Sequence, residues 1–161
     1  MIVIINLFKK NKVLELVAPM TGKSIAINQV PDQVFASGMM GPGVAFDSNE
    51  SIVYAPCSGK LTLMPSSKHA FGIKAANGAE VLVHIGLDTV NLNGEGFEAL
   101  AKQDNKVKAG EPMIKFDRAA ISAQGYNLIT MLIVTNAANY QVNLSDPSSV
   151  KGGTTSVMTI K

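Results

Sequence analysis

KHAFGIKAANGAEVLVHIGLDTV, residues 68–90, contains both histidines of the chain, His69 and His84. Asn77-Gly78 stands between two apolar runs, Phe71–Ala75 and Val81–Ile85. That dipeptide is a strong hairpin signal, because a two-residue type I′ turn needs positive φ at both central positions. With Asn77 and Gly78 as the loop, Ala76 pairs with Ala79, Phe71 with His84, and His69 with Gly86. Side chains alternate along a strand, so the two imidazoles become diagonal neighbours on one face, with β-carbons about 7 Å apart or less. Phe71 and Leu82 share that face, while Val81, Val83 and Ile85 point to a core. A slip of one residue would send the rings to opposite faces, so the juxtaposition depends on the turn. Asp88 follows where the chain turns again.

The pattern extends along the chain as short apolar runs bounded by Gly, Pro, Asn or Ser, which read as strands. They cover Leu14–Val17, Lys23–Asn28, Val44–Asp47, Ile52–Ala55, Gly59–Met64, Phe71–Ala75, Val81–Ile85, Met113–Phe116, Ile129–Thr135, Tyr140–Asn143 and Ser156–Ile160. Helical signal is confined to short turns at Gly96–Gln103 and Arg118–Gln124. The expected fold is all-β, a sandwich or barrel-like hybrid with short helical turns. An internal repeat supports this: Ala18–Lys23 (APMTGK) matches Ala55–Lys60 (APCSGK), each a Pro-x-x-Gly turn feeding a strand, and Val107–Pro112 is a looser third turn.

Length and composition set limits. The 161 residues suit one domain, with 13–161 as the folded unit and 1–12 as a separate N-terminal tail. A net charge of +2, with no basic stripe carrying interleaved aromatics, argues against a nucleic-acid partner. The single cysteine, Cys57, excludes an internal disulfide framework and suits a reducing compartment. No run approaches the roughly 20 apolar residues of a membrane span. In MIVIINLFKKNK (1–12) the apolar run is short and the basic residues follow it, the reverse of a secretory signal. As a short basic amphipathic end it could touch an anionic bilayer weakly; otherwise it is a frayed tail or an extra edge strand.

Two imidazoles on one apolar, partly exposed face admit three uses. Each can be structural, satisfied by a backbone carbonyl. His69, His84 and Asp88 can hold zinc with an open position, as in a zinc-dependent hydrolase, although closely spaced His-x-His or His-Glu-x-x-His signals are missing. Or one neutral ring, with a pKa near 6.5, attacks phosphorus while the other hydrogen-bonds the phosphoryl oxygens. No Gly-x-x-x-x-Gly-Lys-Ser/Thr loop is present, and Gly41-Pro42-Gly43 reads as a turn, so a phosphoryl donor would be a phosphoprotein rather than ATP.

At this point a family resemblance enters. VAPMTGK (17–23), VPDQVFASGMMGPGVAF (30–46), YAPCSGKL (54–61), KHAFGIK (68–74), VLVHIGLDTVNLNGEGF (81–97) and VKAGEPMIKFD (107–117) are similar to the glucose-type enzyme IIA of the bacterial sugar phosphotransferase system. The resemblance runs from about Leu14 to Lys161 and thins after Asp117. It implies a compact antiparallel β-sandwich and a cytoplasmic phosphotransferase, peripheral at the inner membrane face if the tail binds there. His84 would take a phosphoryl group on Nε2 from phospho-HPr and pass it to a cysteine of a permease IIB domain. His69 would stabilise that group with Ser67 in its network, a serine where the family usually has threonine. Asp32 and Asp88 would meet a basic carrier, and Val34, Phe35, Met39 and Met40 would form an apolar docking rim; Phe71 and Leu82 would extend it. The resemblance implies no cofactor and no metal requirement, though some members hold zinc between the two histidines at a partner interface, and some regulate other enzymes. Two departures stand out: Gly-Pro-Gly at 41–43 replaces the family's Gly-Asp-Gly, and Cys57, expected to be buried and inert, occupies a position that is usually small and apolar.

Overall fold

The computed structural model describes residues 13–161; the tail, 1–12, and with it any membrane contact, lies outside the described residues. The strands are β1 Leu14–Val17, β2 Gly22–Ala26, β3 Gly43–Asp47, β4 Ile52–Tyr54, β5 Gly59–Leu63, β6 Ala70–Lys74 and β7 Glu80–Ile85. They continue as β8 Phe97–Ala99, β9 Lys106–Val107, β10 Pro112–Phe116, β11 Thr130–Val134, β12 Val142–Leu144, β13 Ser149–Val150 and β14 Ser156–Ile160. Two short helices, α1 Gln33–Ala36 and α2 Arg118–Ala123, join them. One eight-stranded sheet has the order β13-β2-β3-β11-β7-β6-β5-β9, and two three-stranded sheets have the orders β1-β14-β12 and β4-β10-β8. Each pairing is antiparallel. The all-β reading therefore holds, and the small sheets close over one face of the large one.

The period-two pattern decides what lies between the sheets. Val81, Val83 and Ile85 of β7 face inward, with Phe71 and Ile73 of β6 and Leu132 and Val134 of β11, into a core that also takes Leu16, Met113, Met158 and Ile160. At roughly 2 kcal/mol per buried aliphatic side chain, turning those three β7 residues outward would forfeit about as much as a small domain's whole net stability. The core thus enforces a single register. Cys57 is buried in this core, and burial pushes its thiol pKa up to about 12, so it stays protonated and unreactive.

The APMTGK/APCSGK repeat is realised as two crossing turns. Val17 N donates to Pro56 O and Tyr54 N donates to Pro19 O, while Gly153 N and Gly110 N donate to the carbonyls of Ala18 and Ala55. Each turn thus satisfies the other's backbone groups.

The hairpin differs from its expected geometry. Gly78 N donates to Ala75 O and Ala75 N to Ala79 O, which makes a three-residue loop. Pairing is Lys74 with Glu80, Phe71 with Val83 and Ala70 with His84, one residue away from the expected register. The cause is Asn77. Only Gly78, at φ +88°, is left-handed; Asn77 keeps a negative φ, and its Oδ1 accepts from Ala79 N at 3.0 Å. A turn of this kind with a glycine at its αL position closes a three-residue hairpin. As a result Phe71 is fully buried in the core, not part of an outer docking surface.

The helical turn expected over Gly96–Gln103 is instead β8. Phe97 pairs with Phe116 of β10, ring centroids 6.0 Å apart, and this tertiary contact overrides a helix-prone local sequence. The turn expected at Arg118–Gln124 is α2, and the strand expected at Tyr140–Asn143 begins two residues later.

Candidate functional site

His84 and its strand neighbour Leu82 are on the outer face of the large sheet, with Met131, Ile133 and Ala45 on the adjoining strands. Residues 27–42 cross this face. Val30, Phe35 and Leu87 pack on Ala45, Met131 and Ile133 to form a second, smaller apolar cluster. Asp32 starts the crossing helix: its carboxylate accepts from Val34 N at 2.9 Å and caps α1. The cap aims Phe35 inward, where its ring lies 5.0 Å from the His84 ring at an interplanar angle of 57°. His84 is therefore supported from one side by an aromatic and left half-buried.

The two imidazoles do meet, although not by the expected route. In the observed register His69 would point inward with Phe71. However, Lys68 adopts φ +52° and β6 begins only at Ala70, so His69 sits on a bend ahead of the strand. Its carbonyl accepts from Ile85 N at 2.7 Å. Its ring stands edge-on to that of His84, centroids 4.9 Å apart and planes at 82°.

Each ring is fixed by one partner. His84 Nδ1 lies 2.9 Å from Gly86 O. A carbonyl can only accept, so Nδ1 carries the proton and Nε2 of the neutral ring keeps its lone pair. Gly86 makes this possible. At φ +77° it belongs to glycine, and a Cβ there would stand 2.6 Å from Thr89 Cγ2 and 2.9 Å from Asn127 O. Its N–H donates to Ile129 O, Leu87 N donates to Asn127 O, and the buried Thr89 hydroxyl donates to Ile85 O. Sequence reasoning gave Gly86 and Thr89 no role, although both lie in the stretch 81–97 that carries the family resemblance. At His69 the Ser67 hydroxyl lies 2.7 Å from Nδ1. When that hydroxyl donates, His69 presents Nε2–H on its other side.

Both rings are neutral near pH 7. Burial lowers the pKa of His69. Burial, with the His69 charge adding to it, lowers that of His84 to about 4, against opposing pulls from the Gly86 carbonyl and the carboxylates of Asp32 and Asp88. The folded value lies below the ordinary 6.5, so between the two the unfolded chain binds more protons and stability rises with pH. Relative to a His84→Gln protein, the wild type should lose roughly 3 kcal/mol as pH falls from 6.5 towards 4, with no difference in slope above pH 7. Urea unfolding of both proteins across this range checks it; parallel curves would contradict the burial argument.

The remaining expected residues divide. Asp32 is half-buried and Asp88 is exposed in a left-handed conformation beside the rings. Val34 is 46% exposed and Met39 81%, while Met40 packs against the smaller cluster. Phe35 is buried against His84, and Leu82 is half-buried on the same face. Val90, 48% exposed, stands two residues beyond Asp88 and was not anticipated. Pro42 is accommodated, because the loop bonds through its carbonyl, which accepts from Val134 N at 3.0 Å. The zinc-hydrolase alternative loses its ligand set: among the described residues no group of three or more His, Cys, Asp or Glu could hold a metal ion, so His69, His84 and Asp88 do not converge as three ligands. No helix among the described residues is long and apolar enough to cross a membrane.

Known proteins place this geometry in context. The sequence model of a family described as phosphoenolpyruvate-dependent sugar phosphotransferase system, EIIA 1, matches residues 14–140. A glucose-specific EIIA component of the phosphotransferase system from Staphylococcus epidermidis is 40% identical over 151 residues, 93% of this chain and 91% of that protein. One from Bacillus cereus is 42% identical over 146 residues, 90% of this chain and 88% of that protein. The solved glucose permease IIA of Mycoplasma capricolum superposes with a TM-score of 0.87 at 37% identity, covering 93% of this chain and 97% of that one.

Proposed function

The chain belongs to the EIIA 1 family of the phosphoenolpyruvate-dependent sugar phosphotransferase system, and is thus a phosphotransfer protein; from that we propose that it carries a phosphoryl group on His84 Nε2, between phospho-HPr and the cysteine of a glucose-type permease IIB domain. The observation that carries the reading is the hydrogen bond from His84 Nδ1 to Gly86 O, which leaves Nε2 as the nucleophile.

The step balances without a base. The Nε2 lone pair attacks phosphorus, the donor's N–P bond breaks, and its electron pair returns to the donor imidazole. Nδ1 keeps its proton on Gly86 O, so the ring becomes cationic as the N–P bond forms. Asp32 and Asp88, whose charges favour a cationic His84, stabilise that state. His69, with its Nδ1 accepting from Ser67, donates Nε2–H to a phosphoryl oxygen. Val34, Met39 and Val90 supply an apolar surround on which a partner protein excludes water from the transfer. Such a carrier works in the cytoplasm, where phospho-HPr is made.

The test is incubation with phosphoenolpyruvate, enzyme I and HPr. The expected result is one acid-labile, alkali-stable phosphoryl group on the chain, lost on adding a IIB domain; no label under conditions that label a known EIIA would overturn the reading.

A further inference from the structure

Among the described methionines, Met20, Met113, Met131 and Met158 are fully buried, and Met40 and Met64 are half-buried. Met39 alone is displayed, 81% exposed. That exposure is built in. Met39 N donates to Ser37 Oγ at 3.3 Å, Gly41 N donates to Gly38 O, and Val134 N holds the Pro42 carbonyl, so the segment between α1 and β3 is tied at both ends. Met40, its neighbour, is turned down onto the cluster beneath His84. The thioether therefore stands on a fixed loop that continues directly from the helix whose Phe35 packs on the His84 ring. Among the described residues, three of the seven exposed large apolar side chains, Val34, Met39 and Val90, are on the segments flanking that ring, so the displayed sulfur belongs to the surface a partner must cover.

We propose that Met39 is a reversible oxidation site, at which a peroxide converts the thioether to a sulfoxide and thereby weakens docking of the phosphoryl donor. The inference rests on the function proposed above for the docking step, though not for the oxidation itself. The sulfur lone pair attacks one peroxide oxygen, the O–O bond breaks, and the departing oxygen takes up protons and leaves as water. Sulfur loses two electrons and the peroxide gains them. The product replaces a flexible apolar tip with a strong, chiral dipole that must be desolvated when the partner docks. A methionine sulfoxide reductase reverses the change.

The experiment treats the full chain with dilute hydrogen peroxide, maps oxidation by peptide mass spectrometry, and measures the initial rate of phosphoryl acceptance from phospho-HPr, each protein being compared with its own untreated sample. The sulfoxide is expected first and predominantly at Met39, with acceptance slowed roughly tenfold, the scale of burying one poorly paired polar group, and recovered after reductase treatment. Met39→Leu should show no change of rate on peroxide treatment at the same dose. Oxidation spread evenly over the methionines would overturn the assignment of the site. Selective oxidation at Met39 with an unchanged rate would overturn the effect on docking while leaving the carrier function standing. Failure of the untreated protein to accept label would instead bring down the carrier function and the docking effect together, with the peptide map still reporting on the site.

Discussion

A His84→Gln protein should accept no phosphoryl group from phospho-HPr, a loss of at least about 10⁴-fold, the scale on which covalent catalysts fail without their nucleophile. Glutamine adds no charge and is of similar length, so the side chain can still lie against Phe35, and the Gly86 turn keeps its bonds to Ile129 and Asn127. The lost quantity is a lone pair of imidazole basicity at the Nε2 position, which an amide nitrogen does not have. Circular dichroism and the thermal transition should therefore match the wild type near pH 7, while labelling disappears. Label appearing at His69 in this variant, at a rate near that of the wild type, would show that the two rings are interchangeable, which their different partners argue against: Gly86 O can only accept, whereas Ser67 Oγ can also donate.

A His69→Gln protein should behave differently. It should accept label to within about tenfold of the wild type but pass it to a IIB cysteine on the order of 10²-fold more slowly, the effect of losing one positioned donor. Acceptance survives because the nucleophile and the proton that fixes its tautomer both belong to His84. Departure suffers because the acceptor is a thiolate, an anion that must approach the anionic phosphoryl group; in the first step the attacking group is the neutral His84 imidazole. The Ser67-fixed ring 4.9 Å from His84 relieves that repulsion, and a glutamine amide, with neither the Ser67 lock nor the edge-on packing, does so poorly. Ser67→Ala should give a weaker version of the same split. Stopped-flow or quench kinetics of the two half-reactions measure it; equal slowing of both would assign His69 a structural role only.

How much of this was legible in the sequence depends on the element. The β6–β7 hairpin was legible because Asn77-Gly78 separates two apolar runs, and because only two histidines had to be placed. Its register was not, since Asn-Gly fits both a two-residue I′ loop and a three-residue loop closed by Gly78 alone. That ambiguity turned Phe71 from a surface residue into a core one. The rings still met because Lys68 leaves the strand conformation, a local detail that no periodicity encodes. Helix α1 is four residues long, too short to show a 3.6-residue period, and Asp32, read from the sequence only as a residue meeting a basic carrier, turns out to be its cap. β8 was misread because Phe97-Glu98-Ala99 is locally helix-compatible and becomes a strand only by pairing with β10. For the candidate site, the sequence named both histidines, Ser67, Asp32 and Asp88; the structure sets the two rings 4.9 Å apart with Ser67 on His69. The carbonyl that sets the tautomer of His84 was not named, because a backbone acceptor leaves no signature in side-chain identity.

The central claim, that backbone geometry makes Nε2 of His84 the phosphoryl-bearing atom, is tested most directly by ¹⁵N and ³¹P NMR of the phosphorylated protein labelled at its two histidines. The prediction is phosphorus coupled to Nε2 of His84, with a proton on Nδ1 of the same ring and no phosphorus on His69. Phosphorus on Nδ1 of His84, or on either nitrogen of His69, would contradict it.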